Sequence, residues 1–280
     1  MSYHDRFSSV EMIPLRPPVK EEFGFLDLEG EQIYYGRHPS PGKPSAKALL
    51  IGPFGFERLI SYTVWIRWAR ALAASGVESF HFDYRGVGES SGDFRQMSPV
   101  EWLADARLCA NHFSGDGSAP LTLMGIRFGA LIASQLFAEG VGDRLLLWGP
   151  PKSGTNALLE VLRRKIITNL TEKITGQRKN RSEYVAEMKS GGTIDVEGFL
   201  WTQRLWEESE KLLLSVPSQK EARPWQAIYL KSAGKKAKND AHYQYIPLPT
   251  APFWISGSVI LPDLTDLFQQ SIDFIKHKSA

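Results

Sequence analysis

Short apolar runs separated by helical windows constrain this chain most. KALLIG (47–52) and RLLLW (144–148) are too short for helices and suit strands buried on both faces. VESFHFD (77–83), PLTLM (120–124) and QAIYL (226–230) join them as strands, and the windows 61–75, 99–113 and 128–139 carry helical periodicity. Strands and helices alternating at such spacings build a mainly parallel sheet with helices on both faces. Ser98-Pro99-Val100-Glu101 marks one helix start, with an N-cap, a proline at the first helical position and a capping-box glutamate.

Upstream, FGFLDLEGEQIYYGR (23–37) reads as a β-hairpin turning at Glu29-Gly30-Glu31, and HPSPGKPSA follows as a linker. After Gly149-Pro150-Pro151 the rhythm breaks. Residues 152–222 are polar and helical in pattern, and are expected to form a cap over the C-terminal edge of the sheet, where open α/β sheets bind ligands. Residues 1–151 and 223–280 form the core, with an exposed loop at 231–242, a last strand near 251–256 (APFWIS) and a helix over 262–276.

The 280 residues and 42% hydrophobic content suffice for one sizeable core, and a formal charge of +2 falls well short of a dedicated nucleic-acid binder. Cys109 is the single cysteine, which excludes an intramolecular disulfide and a multi-cysteine metal site and suits a small buried hydrophobe. The first residues contain no apolar signal core, and no apolar run approaches the roughly 18 residues of a membrane span, so the expected location is cytoplasmic. No cofactor motif is evident, and His4, His38 and His112 share no metal-ligand spacing. His81 is expected as a satisfied core residue, and His242 and His277 as surface residues. The basic clusters Arg163-Arg164-Lys165 and Arg178-Lys179-Asn180-Arg181 read as solvated helix faces offset by Glu160, Glu172, Glu183 and Glu187, or as a surface for an acidic partner on the cap.

The chemistry concentrates in LTLMGIRFGALIA (121–133), a strand that runs through Gly125-Ile126-Arg127-Phe128-Gly129 into a small-residue helix. With DYRGVGESSG (83–92) after the preceding strand and Gly52-Pro53-Phe54-Gly55 upstream, it resembles the α/β-hydrolase superfamily, including its S33 serine aminopeptidase-like members. The resemblance implies a doubly wound, mainly parallel sheet with a helical cap inserted after strand 6. GIRFG then stands where a Gly-x-Ser-x-Gly nucleophile elbow belongs. Arg127 occupies the serine position, and a guanidinium stays protonated and only donates. Past strand 226–230, where the acid belongs, stand Lys231-Ser232-Ala233-Gly234, with Asp240 the first carboxylate. Past the last strand, where the histidine belongs, stand Ser256-Gly257-Ser258-Val259.

What remains is a cationic pocket. Backbone amides near Phe54, Gly55 and Phe56 and at Phe128 are expected to converge with Arg127 on one spot, with Glu57 and Asp83 close by. A buried guanidinium needs a counter-charge, so Arg127 either pairs with Glu57, Asp83 or Glu89 or grips an anionic ligand such as a carboxylate or phosphate.

More narrowly, GIRFGA resembles the arginine-bearing elbow of hydrolase-like proteins associated with the exosortase A system. EYVAEMKSGGTIDVEGF (183–199) and Pro252-Phe253-Trp254 are similar to other segments of that family, whose His-Pro-Phe stretch is replaced here by Gly52-Pro53-Phe54. The likeness spans most of residues 45–275 and implies a missing nucleophile and a bacterial exopolysaccharide or envelope pathway. The resulting expectation is a non-catalytic binder of an anionic or acyl small molecule or of a protein partner. The alternative is an esterase, thioesterase or S33-like hydrolase with a displaced serine, Ser61, Ser91 or Ser256.

Overall fold

The computed structural model describes residues 19–115, 117, 119–171, 179–217, 223–232, 238–248, 251–255 and 263–277. The hairpin expected near the start is present as β1 (Glu22–Leu28) and β2 (Glu31–His38), antiparallel and turning at Glu29 and Gly30, both with positive φ. Next come β3 (Ala46–Ile51), α1 (Gly55–Ala74), β4 (Val77–Phe82), α2 (Pro99–Ser114), β5 (Leu121–Ile126), α3 (Phe128–Ala138) and β6 (Arg144–Trp148). Helix α1 begins two turns before the expected 61–75 window, directly after the loop that leaves β3. The Ser98 side chain accepts from the Val100 N–H and so caps α2.

Between β6 and the next long strand lie α4 (Gly154–Thr171), α5 (Arg181–Lys189), β7 (Ile194–Val196), β8 (Phe199–Trp201) and α6 (Gln203–Lys211). The expectation of an all-helical stretch is corrected here: TIDVEGFLW forms a two-stranded hairpin. Glu197 and Gly198 turn it with φ of 55° and 89°, the left-handed pair that two-residue hairpin loops require.

The sheet resumes with β9 (Trp225–Ser232) and ends with β10 (Tyr243–Leu248), followed by α7 (Thr265–Lys276). Among the described residues, Phe253–Ile255 of APFWIS form a turn, and the last strand is therefore YQYIPL, directly after the segment expected as loop (231–242). Pro247 disguised it. An edge strand tolerates proline because one side of it has no ladder to donate to. The strand order is β1-β2-β4-β3-β5-β6-β9-β10, parallel from β4 to β10.

Two cores flank the sheet. One packs Trp65, Trp68 and Ala69 of α1 and Leu267 and Ile275 of α7 against Leu50, Met124 and Trp148. The other joins α2 and α3, through Trp102, Cys109 and Leu131, to Leu158, Met188, Trp201 and Trp206 of the segment after β6. That segment therefore shares a hydrophobic core with one face of the sheet. Among the described residues, no helix is long and apolar enough to cross a membrane.

Candidate functional site

The turn after β5 positions the site. Arg127 sits between β5 and α3 with φ 54° and ψ −122°, a conformation costly for any residue with a Cβ. Its two flanking glycines make the reversal feasible. A Cβ on Gly125 would fall on the backbone of Gly129 and Ala130, and one on Gly129 would fall on the carbonyls of Ile51 and Gly52 at the end of β3. The helix thus starts against the strand with no space for a side chain between them.

Arg127 is only 7% exposed, and its guanidinium is surrounded by acceptors. Nε donates to both Glu57 oxygens at 3.3 Å, Nη1 to the Gly149 carbonyl at 3.1 Å, and Nη2 to Glu57 and to Glu160. Glu57, in the first turn of α1, is buried. Burial pushes its carboxyl up, Arg127 and Arg164 pull it back, and the net shift is upward. Burial tends to lower the Arg127 pKa, but Glu57 and Glu160 outweigh it and hold the charge in place. Arg164, one turn beyond Glu160 on α4, lies 3.8 Å from Glu57, pairs with Glu197 at 2.9 and 3.0 Å, and covers the Phe56 ring. Two cations thus share three carboxylates across α1, the β5 turn, α4 and the β7–β8 hairpin.

Of the two counter-charges considered from sequence, the described state holds the internal one, Glu57. Glu160 and Arg164 escaped sequence reading because each looked like part of a solvated helix face; only the placement of α4 above the turn turns them inward. Asp83 is elsewhere: Arg58 clamps both its oxygens at 2.8 and 2.6 Å, and the Glu89 N–H donates to it at 3.0 Å. Glu89 itself is exposed. Phe54 and Phe128 meet edge to face at 4.9 Å and pack with Trp102, while Gly55 opens α1 beside the Phe199 ring.

Between β9 and β10, where the resemblance places an acid, the sequence has one carboxylate, Asp240. Asp240 is exposed and caps the turn into β10 by accepting from the His242 and Tyr243 N–H groups. From Tyr243 to Lys276 the sequence contains no histidine. Ser256–Val259 lie outside the described residues. His242, expected on the surface, is half-buried and stacks on Trp225 at 4.4 Å. His81, expected to be satisfied, is buried with Nε2 unpartnered, beside an equally buried His38.

Among the alternative serines, Ser91 is engaged by Glu31 and the Gln32 N–H. Ser61 lines a cavity together with His81 and Asp83, yet neither Ser61 Oγ nor His81 Nε2 has a hydrogen-bond partner, so they do not form a dyad. Ser256 is outside the described residues. No group of three or more His, Cys, Asp or Glu side chains suited to a metal occurs among the described residues.

No family model and no curated protein matches the sequence. Solved structures do resemble the fold. The α/β hydrolase GrgF from Penicillium sp. sh18 is similar at 16% identity and a TM-score of 0.56, over 92% of this chain and 98% of that one. A soluble variant of monoglyceride lipase from Saccharomyces cerevisiae, in complex with a substrate analogue, is similar at 14% and 0.55, over 94% and 97%. An α/β serine hydrolase without a lid from Xanthomonas campestris is similar at 15% and 0.52, over 91% and 93%. At such identities the likeness speaks for architecture. Taken with the strand order and the sharp turn after β5, it identifies the chain as an α/β-hydrolase-fold protein.

Proposed function

We propose that this protein uses the α/β-hydrolase fold for binding and lacks serine-hydrolase chemistry. The observation that carries the reading is Arg127 at the apex of the β5 turn, clasped by Glu57, Glu160 and the Gly149 carbonyl. A guanidinium cannot attack a carbonyl carbon, and no histidine stands between β10 and the end of α7 at Lys276 to activate a hydroxyl there.

The ligand class follows from the two carboxylates. Glu57 is buried, whereas the Glu160 side chain is 55% exposed. An anionic or acyl small molecule can therefore replace Glu160 on Arg127 while Glu57 stays in place. The likeness of GIRFGA to the exosortase A-associated proteins supports a role in a bacterial exopolysaccharide or envelope pathway, with the segment after β6 as the surface for a protein partner.

A fluorophosphonate probe tests the chemistry: the full chain should emerge without an adduct at any serine. The rival reading, an esterase, thioesterase or S33-like hydrolase with a displaced nucleophile, predicts an adduct, with Ser61 the first place to look. Titration with octanoate tests the ligand. Glu160→Gln removes the competing charge and should tighten binding about tenfold; equal binding by both forms would rule out an acid at Arg127.

A further inference from the structure

The two edges of the eight-stranded sheet are finished differently. β10 carries Pro247, which has no N–H to offer a further strand, whereas β1 at the opposite edge has neither proline nor lysine between Glu22 and Leu28. Its register with β2 runs unbroken from Glu22 opposite Arg37 to Leu28 opposite Glu31, so no bulge turns it away. Among the described residues, no strand pairs with its outer side. That edge therefore presents a row of unpaired N–H and C=O groups.

The side chains beside the edge select what can pair with it. Phe23 and Phe25, on one face of β1, are each 55% exposed, and their rings meet Tyr34 of β2 at 6.2 and 5.7 Å. Asp27 follows on the same face, exposed, and accepts from Gln32. Five carboxylates and no lysine or arginine fall between residues 21 and 31. Glu21 pairs with Arg70, Glu22 with Lys20 and Arg37, and Glu29 with Arg85. Asp27, Glu31 and the exposed Glu89 form no ion pair among the described residues. Burial chiefly, then Tyr62, Asp83 and Glu89, push the Tyr34 phenol up to about 12, in keeping with a negative field over this face. A second copy of the chain would lay one acidic strand against another, and like charges opposed across a sheet repel.

We propose that β1 takes up, as an added strand, an extended basic segment of a partner protein. Its apolar side chains lie beside Phe23 and Phe25, and a lysine or arginine lies beside Asp27. This surface is independent of the reading given to Arg127. The test is a titration of the full chain with the peptide acetyl-KVKVFTVK-amide, read by hydrogen exchange at single residues. Binding should slow the exchange of those β1 amides that do not bond to β2. The same peptide with glutamate for every lysine should bind about tenfold more weakly, and so should KVKPFTPK, which keeps the charge but cannot pair. Phe25→Ser should weaken the lysine peptide about fivefold, and Asp27→Lys, which turns attraction into repulsion, about tenfold. Both positions are exposed, so the denaturation midpoint should stay unchanged. Glu160→Gln should leave the peptide's affinity as it was, which separates this edge from the Arg127 site. No binding at millimolar peptide, equal binding of the glutamate or proline form, or binding that leaves the β1 amides exchanging freely would overturn the proposal. So would a dimer whose β1 amides are protected before any peptide is added.

Discussion

At the residue scale, the two carboxylates on Arg127 are unequal. Glu57 is enclosed, and its removal strands a guanidinium away from water, so Glu57→Ala should cost about 3–5 kcal/mol. Glu160 reaches Arg127 from a half-exposed position, and Glu160→Ala should cost no more than about 1 kcal/mol. Urea denaturation of both variants checks the contrast, and comparable losses would contradict this division of roles. Arg127 itself was legible in the sequence because its flanking glycines announce the turn. Glu57 stood among three candidate acids that composition could not rank. Glu160 was invisible as a partner, since a glutamate followed four residues later by an arginine looks the same on a solvated helix and on one folded over a buried cation.

At the scale of elements, the sharp turn rests on close approach of two backbones. Alanine normally improves a helix over glycine by about 1 kcal/mol. Gly129→Ala should do the opposite and destabilise by about 1–3 kcal/mol, because the new methyl group meets the carbonyls that end β3. A raised denaturation midpoint would refute that packing. The buried strands were legible because they must be apolar on both faces, as Leu49 and Leu50 are. Elements with weaker demands were not. The β7–β8 hairpin has three-residue strands, and β10 holds a proline in its ladder, so neither carries a long periodic signal. Pro252-Phe253-Trp254 read as a strand because it is apolar. It instead forms a turn whose Phe253 and Trp254 fill the core beneath α7.

For the whole molecule, the two neighbouring buried imidazoles of His38 and His81 link stability to acidity. His38 and His81 both titrate below the ordinary histidine value of 6.5, chiefly because they are buried. The unfolded chain therefore takes up protons first as the pH falls. The contribution of His81 to stability is lost progressively from about 6.5 down to about 3, by up to about 1.4 kcal/mol per pH unit. Asp105, raised to about 6 by burial, acts in the opposite sense, so the contrast with His81→Leu isolates the effect. Unfolding free energies of that variant and the wild type, measured from pH 7 to pH 4, should converge on or cross toward the variant as acid is added; parallel curves would exclude the linkage. The direction of the main chain places one more limit on what can be changed. β6 and β9 are neighbours running the same way, so whatever joins them must travel back along the full length of the sheet before the next strand can start. The intervening stretch can be exchanged, pared or embellished, but a tight reversal can never replace it, and a return path of roughly a dozen residues is the least that any shortened descendant could keep.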